Sequence, residues 1–137
     1  MADTSLEESY LTLIEFLMLS KRRVIELGAE EGLTGMQTMT LFCLSKPRAM
    51  SGFSKLFNCD ASNVTGIIDG LEQKKLVSRY ESPTDRRIKM VQLEPAGLAT
   101  RASLLSRLTS EDSPILSRLS PSEFQTFIGL LQKINAG

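Results

Sequence analysis

The feature of this sequence that most constrains its fold is a change in hydrophobic period near residue 76. Before that point, apolar residues recur at steps of three and four, which is typical of amphipathic helices. Over residues 77–80 and 88–93 the pattern becomes strand-like, and the polar loop 81–87 separates the two segments. This arrangement predicts a β-hairpin, which is too small to fold alone and must pack on the helices.

Two helices are predicted in the first third of the chain. One covers residues 6–27 and has a capping box formed by Thr4 and Glu7. Its apolar face is wider than one core-facing stripe, and this excess indicates contact with a partner chain. The next helix starts with a capping box at Thr34 and Gln37. It ends before a proline, because the residue preceding a proline avoids the helical conformation.

Two further helices are predicted before the hairpin. Ser51 is expected to cap a short third helix. After a tight break at residues 58–59, Asp60 is expected to cap a fourth helix over residues 60–75. The carboxylate of Asp60 also suits the positive end of the helix dipole.

Two helices are predicted after the hairpin. Pro95 is a favourable first residue for a fifth helix that reaches about Ser110, because the first N–H of a helix has no intrahelical partner. A break follows at Ser113-Pro114, and the last helix begins with a capping box at Ser120 and Glu123. At 137 residues, these elements predict one mainly α domain with a small β-hairpin.

Charge is unevenly distributed along a chain whose formal net charge is zero. Residues 1–45 carry three basic and seven acidic side chains, whereas residues 46–101 carry ten basic and six acidic ones. The basic middle third favours a local anion-binding face, for which nucleic acid is one ligand. Ordinary variation in surface charge explains the same numbers equally well.

Histidine is absent, so the commonest general base and the commonest nitrogen ligand for metals are missing. Cys43 and Cys59 provide neither a disulfide framework nor a four-ligand zinc site. We therefore expect no enzyme, no metal and no cofactor. No apolar run approaches the roughly 20 residues of a membrane span, and the acidic N-terminus is unlike a signal peptide. These features predict a cytoplasmic protein without membrane contact.

The order of the elements before residue 93 is that of a winged helix-turn-helix, in which the helix after the turn enters the DNA major groove. Small hydroxyl and amide groups on the exposed face of helix 60–75 suit contact with bases and phosphates. This face shows Gln73, and the candidate DNA-binding residues on it are Ser62, Asn63, Thr65, Gly66 and Asp69, with Ser51 and Lys55 on the preceding helix. Capping preferences alone also explain such residues near a helix start.

The hairpin loop carries a sharper signal. Arg86 and Arg87 lie at its tip beside Asp85, and Lys89 follows two residues later. The negative potential of a narrow minor groove attracts arginine, and a neighbouring carboxylate can hold and orient the guanidinium. A solvated charged turn is the alternative interpretation of these residues.

At this point the chain resembles the MarR (multiple antibiotic resistance regulator) family of bacterial transcription factors. The matching positions are Leu33-Thr34, Ser62-Asn63-Val64-Thr65, Leu71-Glu72, Leu76-Val77, Arg79, Asp85-Arg86-Arg87, Leu93 and Gly97. Residues 85–87 resemble the wing signature of the family most specifically. The resemblance implies that Arg87 enters the minor groove, that Asp85 orients it, and that Arg86 meets phosphate.

The resemblance also implies the domain organisation and the partners. Residues 1–137 would form a single domain, with a winged helix-turn-helix core at 33–97 and dimerisation helices at 4–28 and 98–137. The homodimer would present two recognition helices about 34–36 Å apart to a pseudo-palindromic operator in double-stranded DNA. The implied function is repression, which a small-molecule effector or an oxidant relieves by changing the spacing of the two DNA-binding lobes.

Two alternatives stay open. A winged helix can be a protein-interaction module that does not read DNA. Zero net charge, Asp69 facing the groove and Lys75 in place of the family's usual glycine favour this alternative. Cys59, just before the recognition helix, is also a candidate oxidant sensor, because a helix N-terminus lowers a thiol pKa; Cys43 is a weaker candidate. There are two equally good interpretations of Met18, Met36, Met39 and Phe42: they are plain core residues, or they form the wall of an effector site.

Overall fold

The computed structural model describes residues 5–110 and 112–137. Within them the elements follow the predicted order, with two additions. The helices are α1 (Leu6–Glu30), α2 (Gly35–Phe42), α3 (Met50–Phe57), α4 (Ala61–Gln73), α5 (Pro95–Leu108), α6 (Pro114–Arg118) and α7 (Pro121–Asn135). The strands are β1 (Arg48–Ala49), β2 (Val77–Glu81) and β3 (Lys89–Leu93). The predicted fold class, mainly α with a small hairpin, is confirmed.

The chain divides into two compact units, one that ends at Arg101 and one that begins at Ala102. The core of the first unit is built from the apolar stripes of its helices and from the inner face of its sheet. Its buried apolar residues are Leu27, Leu33, Leu41, Leu44, Phe53, Val64, Ile68, Leu71, Leu76, Val77 and Val91. The second unit contains α6 and α7, and its buried residues are Leu104 and Ser113.

The sheet has three antiparallel strands in the order β1-β3-β2. The predicted hairpin pairs Val77 with Leu93 at its base and Glu81 with Lys89 near its tip. The prediction of two strands missed β1, in which Arg48 lies opposite Val91. A two-residue strand shows no alternation of its own, so only its pairing partner reveals it.

Three predicted helix caps are confirmed. The Thr34 hydroxyl accepts a hydrogen bond from the Gln37 N–H at 3.1 Å, and Ser120 caps α7 in the same way. The Asp60 carboxylate accepts from the Asn63 N–H at 2.9 Å, so α4 begins one residue later. These bonds satisfy N–H groups that have no partner within the helix.

Two other predicted caps are wrong. α1 is capped by Ser5 with Glu8 rather than by Thr4 with Glu7, and Thr4 lies outside the described residues. Ser51 lies inside α3, because pairing of β1 with β3 holds Ala49 extended, at φ −66° and ψ 145°, and makes it the N-cap. α2 also ends at Phe42, earlier than its apolar pattern indicates, and the short helix α6 follows the predicted break at Pro114.

Among the described residues, no helix is long and apolar enough to cross a membrane.

Candidate nucleic-acid interface

The start of α4 is shaped by the turn that precedes it. Asn58 has φ 50° and ψ 49°, a left-handed conformation that asparagine tolerates better than most residues. This conformation ends α3 and lets Asp60 cap α4. The Ser62 hydroxyl donates to Asp60 Oδ1 at 2.8 Å, so this hydroxyl has a structural partner already. Hydrogen bonds from the Asn63 N–H and then from Ser62 lower the pKa of the Asp60 carboxyl.

The exposed face of α4 lies opposite a fully apolar face. Val64, Ile68 and Leu71 are buried, whereas Ser62, Asn63, Thr65 and Gly66 are exposed. The Thr65 hydroxyl donates to the Ala61 carbonyl at 2.9 Å. Space beside Gly66 is open, since a Cβ added there would meet nothing within 4 Å. This open, weakly polar surface is the type that another macromolecule can approach closely.

Asp69 lies on the same face, but its carboxylate is already paired with an arginine. Arg79 of β2 donates from Nη2 to Asp69 Oδ1 at 2.5 Å. The same guanidinium donates from Nε to Glu72 Oε1 at 2.8 Å and from Nη2 to Glu72 Oε2 at 3.1 Å. The hydrogen bonds to Glu72 and then to Asp69 raise the pKa of Arg79. The sequence indicated Arg79 only as part of the family pattern and gave no sign of this cluster.

The tip of the hairpin brings Arg87 and Asp85 together. Arg87 donates from Nε to Asp85 Oδ1 at 3.1 Å and from Nη2 to Oδ2 at 3.0 Å, and its backbone N–H also donates to Oδ1. The guanidinium side chain is nevertheless 91% exposed. The side-chain bonds from Arg87 lower the pKa of Asp85. Arg86 is exposed, and no hydrogen bond or ion pair engages it within the described residues.

The remaining candidates are divided between the hairpin and α3. Lys89 forms an ion pair with Glu81 across the hairpin, with Nζ 3.1 Å from Oε1. Ser51 and Lys55 are exposed on α3. The geometry therefore joins Asp85 to Arg87 and Lys89 to Glu81. The DNA contacts of all these residues stay predictions.

Comparison with known proteins agrees with this geometry. Residues 33–89, which include α2, α4 and the hairpin loop, match the model of the MarR family. Over this segment the chain is similar to the MarR family. It is 30% identical over 107 residues to the "Putative transcriptional regulatory protein for hcr operon" of Thauera aromatica, covering 78% of this chain and 63% of that relative. The chain thus spans somewhat less than two thirds of the relative's length.

Two solved structures illustrate the shared fold. A mutant of MepR from a multidrug-resistant S. aureus clinical isolate superposes with a TM-score of 0.71, at 22% identity, over 92% of this chain and 94% of that chain. The S. aureus MepR–DNA complex gives a TM-score of 0.66, at 21% identity, over 93% and 96%. At these identities the likeness concerns the fold.

The turn from α4 into β2 explains one departure from the MarR pattern. Lys75, at the position where the resemblance expects glycine, has φ 59°. Its N–H donates to the Glu72 carbonyl at 2.8 Å, and the Leu76 N–H donates to the Leu71 carbonyl at 3.0 Å. The left-handed conformation that ends the helix is therefore retained, although a residue with a Cβ adopts it at some cost.

The two cysteines are the candidate oxidant sensors. Cys43 and Cys59 are both free and half-buried. Burial raises the pKa of the Cys43 thiol, although Arg48 and Arg101 act in the opposite direction. The thiolate is the reactive form, so this environment disfavours Cys43 as an oxidant sensor. In the described part of the chain, no group of three or more metal-binding side chains occurs.

Proposed function

We propose that this chain is a regulator of the MarR family: a homodimer that binds DNA sequence-specifically and controls transcription in the cytoplasm. The observation that carries the proposal is the Asp85–Arg87 pair. Two hydrogen bonds to one carboxylate fix the direction of the guanidinium, while nine tenths of its side chain is open to a ligand. Such an arginine is organised in advance for a narrow minor groove, which reduces the entropy lost on binding.

The exposed face of α4 supports the same proposal. Thr65 and Gly66 leave space for close approach to the major groove, and the Asn63 side chain offers an amide that can pair with adenine. The N-terminus of α4 adds a partial positive charge for a phosphate. Two similar proteins favour this use of the fold: the Thauera relative is described as a putative transcriptional regulatory protein for an operon, and MepR has been solved in complex with DNA.

A homodimer accounts for the surface of α1. Its buried residues are Leu27 and Gly28, near its C-terminal end. The large apolar residues of its N-terminal part are exposed: Leu6, Tyr10, Leu11, Leu13, Ile14, Leu17, Met18 and Leu19. An apolar surface this long is costly in water, and a second copy would cover it symmetrically. Light scattering should give twice the mass of the chain.

We propose repression as the direction of regulation, because a dimer bound across a promoter blocks access to it. A small effector would relieve repression by binding the dimer in a conformation that fits the operator poorly. Met36, Met39 and Phe42 of α2 are half-buried and form an adaptable wall for such a compound.

Fluorescence anisotropy tests the DNA-binding proposal. A labelled duplex from the region upstream of the gene is titrated with the chain and with Arg87→Ala at several salt concentrations. Specific binding should fall steeply with salt, and Arg87→Ala should weaken it by about tenfold. Arg22→Ala is the matched control, because it removes an arginine from an exposed ion pair on α1. Weak, sequence-independent binding that ignores Arg87 would instead favour a protein-interaction module.

A further inference from the structure

α4 has an unfavourable charge for a helix that approaches DNA. Between Ala61 and Gln73 it contains no lysine or arginine and two carboxylates, Asp69 and Glu72. Asp69 lies one helical turn beyond Thr65, on the exposed face, and its side chain is 49% exposed. Unmasked, the two carboxylates would repel phosphates over roughly 10 Å at 0.1 M salt.

Arg79 is placed to remove much of this repulsion. It donates to both carboxylates at once and contacts Glu72 with two nitrogens. Bidentate pairs of this kind are among the stronger charge-assisted hydrogen bonds. Arg79 also lines one open surface groove with Thr65 of α4 and with Glu81 and Lys89 of the hairpin. The guanidinium therefore lies next to the proposed DNA-binding face.

No other cation in the described residues pairs with these carboxylates. Lys74 follows α4 directly, but its ammonium donates to the Gly32 carbonyl at 3.0 Å. Lys75 lines a second groove with Glu72, Arg79 and Glu94 without forming an ion pair. The neutralisation of α4 thus depends on a residue of β2.

We propose that Arg79 is a positioning residue for DNA recognition, which masks the negative charge of Asp69 and Glu72 and holds the hairpin against α4. This inference rests on the proposed DNA-binding function. It assigns to Asp69 a role opposite to that expected from sequence: the carboxylate anchors Arg79 and does not contact a base. The chemistry requires a partner of high negative charge density, which double-stranded DNA provides.

Rescue by neutral isosteres tests the masking role. Binding to the upstream duplex is measured for the parent chain, for Arg79→Ala, for Asp69→Asn/Glu72→Gln, and for the triple variant that combines all three changes. In 0.1 M salt, Arg79→Ala should weaken binding about tenfold, because the two carboxylates near the phosphates no longer have a cation beside them. The triple variant should recover to within about threefold of the parent, and Asp69→Asn/Glu72→Gln should bind at least as tightly as the parent.

The salt dependence separates charge from geometry. The ratio of parent to Arg79→Ala affinity should shrink as salt rises, because screening weakens the repulsion. A ratio that does not change with salt would indicate a purely structural role and overturn the masking role. Circular dichroism and thermal melting ensure that all variants are compared in the folded state, and Arg22→Ala controls for loss of one arginine in an ion pair.

Two further outcomes would overturn the inference. Unchanged affinity in Arg79→Ala would show that the carboxylates do not oppose binding. Failure of the triple variant to recover would show that Arg79 does not act by masking the two carboxylates, and that its guanidinium instead contacts DNA or serves only to hold the hairpin. Failure of the proposed function has a different signature, since the parent chain would then bind no duplex in a salt-dependent manner.

Discussion

The base and the tip of the hairpin each contain an arginine–carboxylate pair, and the two pairs have different roles. At the base, Arg79 is 30% exposed and joins β2 to two carboxylates of α4, seven and ten residues away. At the tip, Arg87 is 91% exposed and holds a carboxylate only two residues away. The first pair connects separate elements, whereas the second fixes the direction of a charge that remains available. The surroundings of an arginine–carboxylate pair therefore decide whether it joins two elements of the fold or presents a charge to a ligand.

The largest effect on stability is expected from a side-chain atom added at the base of the hairpin. A Cβ at Gly97 would overlap the carbonyl oxygen of Leu76, where β2 begins. Gly97→Ala should lower the free energy of unfolding by about 3 kcal/mol, because backbone atoms cannot move aside cheaply. Urea denaturation measures the change. Gly66→Ala is the matched control: its site is open, so alanine should stabilise α4 by up to about 1 kcal/mol. Equal stability of the two variants would contradict the packing at the base.

Removal of each arginine sharpens the comparison directly. Arg79→Ala should lower the free energy of unfolding by about 1.5 kcal/mol, because it leaves two half-buried carboxylates without their cation. Arg87→Ala should shift the unfolding curve far less, since its pair is open to solvent and contributes little to stability. Both variants are measured by urea denaturation in the same buffer. If Arg87→Ala proved the more destabilising of the two, the distinction between base and tip would fail.

A smaller gain is expected at the turn into β2. Lys75→Gly should raise the free energy of unfolding by about 0.5–1 kcal/mol, because glycine adopts the observed φ of 59° without strain. Lys74→Gly is the control and should be destabilised, since Lys74 has φ −82°, gains nothing from glycine and loses its hydrogen bond to the Gly32 carbonyl. Thermal melting of both variants gives the sign. A destabilised Lys75→Gly would indicate that the lysine side chain contributes more than its backbone costs.

The smallest effect concerns titration at the tip. Hydrogen bonds from Arg87 lower the pKa of Asp85 in the folded chain. The pair therefore contributes stability that is present above the ordinary pKa of aspartate and is lost as pH falls through the lowered value. Carboxyl-carbon NMR should give an Asp85 midpoint below that of an unpaired aspartate, and Arg87→Ala should raise it. An unchanged midpoint in the variant would contradict the observed pair.

The sequence predicted elements that carry their own local signal. The capping boxes at Thr34 and Ser120 and the cap at Asp60 were found because each side chain bonds within three residues of its position. The cap of α1 was misplaced by one residue, because Thr4-Ser5 and Glu7-Glu8 offer two capping boxes in adjacent registers. Local chemistry alone does not choose between them.

Features that depend on distant partners were missed. β1 exists because β3 pairs with it more than forty residues later, and this pairing displaced the predicted cap at Ser51. Asp69 was expected to face DNA from its position on the helix. No sequence pattern indicates its contact with Arg79. From sequence, Lys75 is only a departure from the family's glycine. The structure shows that it keeps the left-handed backbone conformation of that position. The Asp85–Arg87 contact was indicated by the adjacent charges of the loop and then by the family resemblance, and the structure shows it with two hydrogen bonds.

The middle position of β3 has a mechanical consequence. Its Val91 lies between Arg48 of β1 and Arg79 of β2, so main-chain bonds tie it on both edges. Because β1 leads directly into α3, a force applied to the wing is carried into the helix-turn-helix without passing through a flexible joint. The wing and the recognition helix must then tilt together as one lever.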